Sequence, residues 1–270
     1  MEQIKSFQNS FVKTIRSLKH KKYRKKENMF WAEGIRNVFE AIENNWDIDT
    51  LVFSTDLLRS DLAKSLLKKT TIRKFSVTKA VFERIAMGEL PQGLGAVIKL
   101  PDEQAVEKVI PDKNGFYVAL ENPQDRGNVG AVIRSTNAAG GSGVILVGKS
   151  VDTYDPETMR TSMGALFSTP VYTCDSIANF ISWNRKYKVN LYGTSAKAKQ
   201  DFRSVKYSRP LTLVFGNERQ GLTTDLQQEL DLTLSIPMIG RASSLNLGAA
   251  VAVLNYQAQG WWMNSSIMKS

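Results

Sequence analysis

The sequence is poor in the two residue types that build most disulfides and zinc sites. Cys174 is its one cysteine and His20 is its one histidine. A single cysteine excludes an internal disulfide, and the two residues together are too few for a Cys/His zinc centre. His20 also has no neighbour that suggests a paired nucleophile. We therefore expect no bound metal and no histidine-based catalysis.

Long apolar runs are also missing. The longest, 245–254, contains Asn246 and falls well short of the roughly 20 residues that span a bilayer. Residues 1–10 are polar and contain no apolar core, so we expect no signal peptide. These absences predict a cytoplasmic protein with no membrane partner.

Two nucleotide-binding fingerprints are absent or misplaced. No GxGxxG follows an early strand, which disfavours dinucleotide binding and the common Rossmann-type methyltransferases. Residues 143–150, GVILVGKS, match the phosphate-binding loop letter for letter. In a true loop the variable residues follow a strand and the Lys-Ser pair begins a helix. Here the four variable residues read as the strand itself and 151–156 as a turn, so we reject nucleoside triphosphate hydrolysis.

Acidic residues are outnumbered. The 36 lysines and arginines exceed the 26 aspartates and glutamates, which gives a net charge of +10 and predicts a polyanionic partner such as nucleic acid. The densest cluster is 19–26, KHKKYRKK, where Tyr23 could stack on an unpaired base. A solvated helix end is the alternative. We favour phosphate contact because no acidic block neutralises this cluster.

Apolar spacing indicates two domains joined by a linker. In 1–100, apolar residues at helical spacing alternate with short branched runs at 50–53, 72–77 and 95–98, which predicts a small α/β domain. The polar stretch 101–113 is interpreted as the linker. In 114–270 helices alternate with five apolar runs, at 116–120, 143–147, 189–192, 211–215 and 232–236. Such runs predict a mostly parallel sheet buried on both faces.

Three stretches place polar residues and glycines directly after short apolar runs, where ligands of α/β proteins bind. They are 122–134 (NPQDRGNVGAVIR), 213–218 (LVFGNE) and 236–247 (IPMIGRASSLNL). We expect Asn128 to cap a helix and Ser243 or Ser244 to cap another. A surface ion pair for Arg134 and a tight turn or β-bulge at Gly216 are the plain structural alternatives; in the other interpretation Gly216 makes room for a ligand beside Glu218.

In order and spacing these three motifs resemble those of the SpoU (TrmH-like) RNA ribose 2'-O-methyltransferases of the SPOUT superfamily. The resemblance is close over 114–270 and looser over 1–100. There, FWAEG at 30–34 and PQG at 91–93 are similar to signatures of the family's substrate-binding domain.

The resemblance implies an α/β fold in which a trefoil-knotted, mostly parallel sheet follows a smaller N-terminal α/β RNA-binding domain similar to a ribosomal protein. It also implies S-adenosylmethionine as methyl donor and a homodimer that shares its active site, with the closing helix as far as Trp261 and Trp262 partly at the interface. Gly248 stands where many members have a serine, so no role is assigned to it. The implied site residues fall into a catalytic set, Asn128, Arg134, Glu218, Ser244 and Asn246, and a donor-binding set, Thr194, Gly216, Ile236 and Leu245.

The implied reaction is 2'-O-methylation of a ribose in structured RNA, with ribosomal RNA as the first candidate and no DNA substrate. The alternatives are a tRNA ribose methyltransferase, a non-catalytic RNA-binding or ribosome assembly factor, and a knotted base methyltransferase. A guanidinium keeps its proton in proteins, so we expect Arg134 to anchor a phosphate and stabilise alkoxide charge. Glu218 would hold Arg134 or receive the hydroxyl proton through water. Asn128, Ser244 and Asn246 would orient the ribose and Arg134.

Overall fold

A computed structural model describes residues 3–267, with side chains as far as residue 260. The chain forms two compact units: the first consists of Met1–Asp102 and Tyr154–Ser168, the second of Glu103–Thr153 and Thr169–Ser270. The side chains of Trp261 and Trp262 lie outside the described residues. Within the described part, no helix is long and apolar enough to cross a membrane.

The first hundred residues contain short strands and amphipathic helices. The strands are β1 (Gln3–Ile4), β2 (Met29–Glu33), β3 (Ile48–Phe53), β4 (Lys74–Val77) and β5 (Leu94–Lys99). The helices are α1 (Ser10–Ser17), α2 (Lys21–Glu27), α3 (Ile35–Glu43), α4 (Asp61–Lys69) and α5 (Lys79–Ile85). In the described part the strands form one sheet in the order β1-β4-β3-β5-β2. Polar caps start several helices, as at Ser60, whose side chain accepts from the amide of Ala63.

The rest of the chain alternates strands and helices. The strands are β6 (Phe116–Glu121), β7 (Gly143–Val147), β8 (Val171–Cys174), β9 (Asn190–Thr194), β10 (Gln200–Asp201), β11 (Leu211–Phe215) and β12 (Leu232–Ser235). The helices are α6 (Arg126–Ala138), α7 (Pro156–Ser162), α8 (Ile177–Tyr187), α9 (Thr224–Gln227) and α10 (Leu247–Ile267). Short 3-10 turns occupy Val106–Lys108, Ala165–Phe167 and Phe202–Ser204.

The second unit is built on a parallel sheet. Among residues 3–267 its seven strands run in the order β10-β12-β9-β11-β6-β7-β8, and every neighbouring pair is parallel. The predicted parallel sheet is confirmed, as is a strand over Gly143–Val147 in place of a phosphate-binding loop. Strand β8 was missed because it is short, Val171–Cys174, and only two of its four residues are buried.

Residues 154–168 group with the first unit although they stand between β7 and β8 in the sequence. An aromatic cluster holds them there: the rings of Phe30 and Tyr154 lie 4.8 Å apart, and those of Trp46 and Phe167 lie 5.1 Å apart. The indole of Trp46 also donates to the carbonyl of Phe167 at 2.9 Å. This grouping differs from the sequence-based division, in which all of 114–270 is one domain.

The stretch predicted as a linker, 101–113, groups with the second unit from Glu103 onward. Val106 is fully buried in the core of the second unit, and the amide of Thr173 in β8 donates to the carbonyl of Gln104 at 2.9 Å. The division into independently folding domains, 1–100 and 114–270, stays a prediction.

Candidate active site

The three motifs converge at one edge of the second sheet. Because neighbouring strands are parallel, their carboxyl ends lie side by side, and Thr194, Gly216 and Ile236 end or follow β9, β11 and β12. The hydroxyl of Thr194 donates to the carbonyl of Val214 at 3.3 Å, which ties the ends of β9 and β11 together. The topology therefore brings three of the four predicted donor-binding residues to adjacent strand ends.

Gly216 does not leave room for a ligand in the way the sequence suggested. A Cβ at this position would lie 2.1 Å from the carbonyl carbon of Gly221 and 2.2 Å from the nitrogen of Leu222. The chain turns back on itself here, and Asn217 pairs with Gly221 in an isolated β-bridge. The glycine is needed because the protein's own backbone occupies the space where a side chain would be.

A buried carboxylate that sequence reasoning missed anchors this turn. Glu121, the last residue of β6, is 2 % exposed. It accepts hydrogen bonds from the amide of Thr223 at 2.9 Å and from its hydroxyl at 2.7 Å. The available signal was a lone acidic residue at the end of an otherwise apolar strand. Glu121 thus fixes the loop that carries Glu218.

Asn122 connects the first two motifs. Its backbone is left-handed, with φ of 47°, a conformation that asparagine tolerates better than most residues. Its side-chain oxygen accepts from the amide of Lys149 at 2.9 Å, and its carbonyl accepts from the side chain of Asn217 at 3.0 Å. The loops that follow β6, β7 and β11 are therefore held together at one residue.

A chain of side-chain hydrogen bonds joins all three motifs. The amide nitrogen of Asn246 donates to Oδ1 of Asn128 at 2.9 Å. The Nδ2 of Asn128 in turn donates to Oε1 of Glu218 at 3.1 Å. Residues 118 and 90 positions apart thus form one relay, and it leaves the second carboxylate oxygen of Glu218 outside the described hydrogen bonds.

The helix caps at this edge differ from those predicted. Asp125, rather than Asn128, caps α6, since its Oδ1 accepts from the amide of Asn128 at 2.6 Å. Asn246, rather than Ser243 or Ser244, begins α10, since its Oδ1 accepts from the amide of Gly248 at 2.9 Å. Asn246 uses its side-chain oxygen for the cap and its side-chain nitrogen for the relay. Asn128 takes part in the cap of α6 only through its backbone amide, so its whole side chain serves the relay.

Arg134 stands apart from the relay. Six positions after Asn128, it lies about 120° round the helix axis at about 3.6 residues per turn. Its side chain is exposed, and no hydrogen bond or ion pair involves it in the part of the chain that the structure describes. Glu218 therefore binds Asn128 and not Arg134. Ser244 is likewise exposed and outside the hydrogen bonds of the described residues.

The loop that follows β12 keeps its backbone open. Across 236–245 the described structure contains no hydrogen bond from or to the main chain. Ile239 is 97 % exposed and Leu245 is 40 % exposed. Free amide and carbonyl groups beside apolar side chains suit a ligand that carries an adenine ring and polar groups, so this edge fits S-adenosylmethionine.

Only part of the basic segment 19–26 lies at the surface of the first unit. Arg24 is 2 % exposed and donates to the carbonyls of Leu18 and Lys19 at 2.7 and 2.9 Å, so it closes the end of α1. Tyr23 is 39 % exposed, and four lysines, at 21, 22, 25 and 26, are exposed around it. The predicted phosphate-contacting surface therefore consists of lysines and Tyr23, without Arg24.

Comparison with known proteins decides the family. The SpoU rRNA Methylase family matches residues 115–256, which contain the whole relay. The chain belongs to this family. The MRM3-like substrate binding domain matches residues 9–96. Both matches confirm the resemblance seen in the motifs.

Relatives align along most of the chain. The 23S rRNA (guanosine(2553)-2'-O)-methyltransferase RlmP of Bacillus subtilis is 30 % identical over 96 % of this chain and 100 % of its own. The 23S rRNA (uridine(2479)-2'-O)-methyltransferase of Streptomyces viridochromogenes is 31 % identical over 85 % of this chain and 82 % of its own. An AdoMet-bound rRNA methyltransferase from Sinorhizobium meliloti superposes with a TM-score of 0.86, at 32 % identity over 96 % of this chain and 97 % of that one.

Proposed function

We propose that this protein transfers a methyl group from S-adenosylmethionine to a ribose 2'-oxygen of 23S ribosomal RNA. The observation that carries the proposal is the relay of Asn246, Asn128 and Glu218, in which all three motifs meet at the carboxyl edge of a parallel sheet. The similarity to two 23S rRNA 2'-O-methyltransferases over most of their lengths supports ribosomal RNA over tRNA as substrate. Such a substrate places the activity in the cytoplasm.

The donor is proposed to lie against Thr194, Gly216, Ile236 and Leu245. When bound, it supplies a methyl group activated by a sulfonium. The hydroxyl of Thr194 ties the end of β9 to β11, Gly216 lets the turn after β11 fold back tightly, and the open backbone of 236–245 offers the hydrogen-bonding groups. Glu121 and Asn122 fix the loop that follows β11, so this side of the donor site needs little reorganisation on binding.

The residues of the relay have separate tasks in this proposal. Asn128 holds Glu218 by one oxygen, so the other oxygen is left to take the ribose hydroxyl proton through water. Asn246 both fixes Asn128 and caps the start of α10. Ser244 is free to donate to the ribose. Arg134, which stays charged, anchors the neighbouring phosphate and stabilises the negative charge that develops on the 2'-oxygen.

A homodimer would bring Arg134 to an active site. In one chain Arg134 points away from the relay, so we propose that it serves the active site of a second copy. The exposed face of α10 offers a matching surface, since the apolar side chain of Val253 is 38 % and the ring of Tyr256 is 59 % exposed. The trefoil knot implied by the resemblance stays a prediction.

RNA binding is assigned to the first unit. The lysines of α2 and Tyr23 provide charge and a stacking surface, and the RNA affinity is expected to fall steeply with salt because bound phosphates release counterions. A flat salt dependence would contradict a phosphate-dominated interface.

Ribose-methylation mapping of 23S RNA tests the function directly. Cells with and without the gene are compared, and the missing modification is restored in vitro with purified protein and S-adenosylmethionine. One lost 2'-O-methyl group in 23S RNA is the expected result. A lost tRNA ribose methyl group would correct the substrate, and an unchanged methylation pattern with no transfer in vitro would favour the non-catalytic alternative.

A further inference from the structure

A second candidate site lies in the first unit. A cavity of about 230 Å³ is enclosed by residues from β2, α3, the stretch 87–92 and α7. All of these segments belong to the first unit, including α7, which stands between β7 and β8 in the sequence. None of the nine predicted site residues lines this cavity. Its volume is below the roughly 300–1,000 Å³ of sites for drug-sized ligands, which favours a small flat group.

The walls of the cavity are largely flat or deformable. Trp31 is 3 % and Met159 is 2 % exposed, and Met87 and Met163 also line the space. An indole offers a planar face, and methionine adapts its shape to a neighbouring ring and makes favourable sulfur–aromatic contacts. Such walls suit an aromatic heterocycle.

The cavity also contains a buried acceptor that lacks a donor. Asn37 is 8 % exposed. Its Nδ2 donates to the carbonyl of Glu33 at 2.7 Å, which fixes the orientation of the amide. Its Oδ1 is buried and has no hydrogen-bond partner among the described residues. A buried acceptor without a partner is costly, so a donor that enters the cavity would be stabilised there.

A hydrogen-bond donor on Gln92 and the wall held by Glu33 complete the polar lining of the cavity. The Oε1 of Gln92 accepts from the amide of Ile35 at 2.9 Å, so its amide nitrogen is the end left for a ligand. The Glu33 carboxylate accepts from the amides of Met87 and Gly88, and burial raises its pKa above the ordinary value. These bonds hold the 87–88 stretch against β2 and so maintain the cavity.

The cavity mouth is both basic and apolar. The side chain of Arg160 is exposed and makes no hydrogen bond or ion pair within the described part of the chain. Arg36, by contrast, is paired with Glu40 at 2.9 Å. Leu90 is 92 % exposed beside the opening. A free guanidinium next to a heterocycle-sized space is the arrangement expected for a base whose phosphate stays outside.

We infer that this cavity binds one unpaired base of the RNA substrate, while Arg160 contacts the adjoining phosphate. An amino or ring N–H group of the base meets Oδ1 of Asn37, the neighbouring acceptor of the base meets the amide of Gln92, and Trp31 and the methionines cover the ring. Adenine and cytosine offer this pair as an amino group beside a ring nitrogen, and uracil offers it as N3–H beside O4. The inference rests on the proposed RNA substrate.

A cavity-filling variant tests this inference without removing any contact of the wild-type protein. At Gly88 a Cβ meets only Glu33 Oε1, at 4.0 Å, so Gly88→Ala is a matched control and Gly88→Leu places a larger side chain at the cavity wall. The full-length protein is titrated with short oligo(A), oligo(C) and oligo(U) RNA by fluorescence anisotropy at fixed salt. In the wild type, all three RNAs should bind more tightly than an abasic RNA of the same length and charge. Gly88→Leu should lose about tenfold in affinity for oligo(A), the scale of one stacked base, and Gly88→Ala less than about twofold.

Wild-type affinity for oligo(A) in Gly88→Leu, or equal affinity of the wild type for oligo(A) and the abasic RNA, would overturn the inference. Amide exchange in β2 and α3 reports whether the first unit of the variant is folded. If Gly88→Leu does not fold, Arg160→Ala tests the inference instead, because the exposed side chain of Arg160 makes no described contact. The Arg160→Ala variant should bind RNA more weakly, and the salt dependence of its RNA affinity should have a slope lower by about one. An unchanged slope would overturn the phosphate contact and the inference with it. The proposed function fails by another result, a wild-type protein that methylates no 23S RNA.

Discussion

The carboxyl edge of the parallel sheet and the cavity of the first unit use opposite means to receive a ligand. At the edge, exposed polar side chains are joined in a relay, and an open backbone loop follows β12. In the cavity, buried apolar walls surround a few fixed polar atoms. The edge can orient reacting groups but leaves Arg134, Ser244 and Leu245 open to solvent. The cavity can recognise a flat group, and its one carboxylate, Glu33, is bonded to the amides of Met87 and Gly88. The difference indicates that reaction and recognition are divided between the two units.

The largest expected effect is on the free energy of unfolding, and it tests which of the two units is stabilised by residues 154–168. Phe167→Ala removes a ring that is 4 % exposed and should lower the free energy of unfolding by about 3–5 kcal/mol, the usual loss for a buried phenylalanine. Amide exchange should rise in β2 and α3 rather than in β7 and β8. Phe7→Ala, at a ring that is 44 % exposed, is the control and should change stability little. Faster exchange confined to β7 and β8 would contradict the division.

The next effect concerns chemistry at the edge. Arg134→Ala and Arg134→Lys should each lower methyl transfer by about a hundredfold or more, because lysine keeps the charge but lacks the planar fork that holds two oxygens. S-adenosylmethionine affinity, measured by calorimetry, should be unchanged. The control is Arg185→Ala, which breaks a surface ion pair with Glu229. Near-normal single-turnover transfer in Arg134→Ala would refute the assigned role.

A smaller effect separates the two tasks of Asn246. Asn246→Ser keeps an oxygen that can cap α10 but loses the donor to Asn128, so stability should change by less than about 0.5 kcal/mol while transfer falls about tenfold. Asn246→Ala loses the cap as well and should cost about 1 kcal/mol in unfolding free energy. Denaturant titration and single-turnover assays give the two readouts. Equal transfer in the wild type and Asn246→Ser would show that the relay is structural.

The smallest effect is expected at Cys174. Burial raises the pKa of its thiol to about 12, so the native thiol stays protonated at neutral pH and should react with iodoacetamide far more slowly than the unfolded chain. Because the folded pKa lies above the unfolded one, the stability linked to this thiol is complete below about pH 9 and is lost as the pH rises towards 12. Cys174→Ala should not show this loss of stability at high pH, and it should retain methyl transfer. Rapid native alkylation at neutral pH would contradict the assignment.

The parallel sheet and the grouping of motifs at its edge could be predicted because both depend on local pattern. Apolar runs such as Leu211–Phe215 are buried on both faces, and polar residues that follow such runs must lie at the carboxyl edge. The sequence could not predict which partner satisfies each polar group. Asn128 and Ser244 are both good capping residues in isolation, whereas the observed caps, Asp125 and Asn246, depend on where the chain enters each helix.

Sequence alone determined the family, the basic charge and the residues of the three motifs, because each is a property of residue type and spacing. Tertiary structure alone decided that the turn at Gly216 is filled by its own backbone, that Glu121 holds the loop of Glu218, and that Arg134 lies outside the relay of its own chain. It also decided that Phe167 and Arg160 belong with the first unit and that Arg160 lines a cavity with Trp31 and Asn37. These outcomes depend on contacts between residues far apart in the chain, and the burial that makes such contacts favourable exists only once the chain has folded.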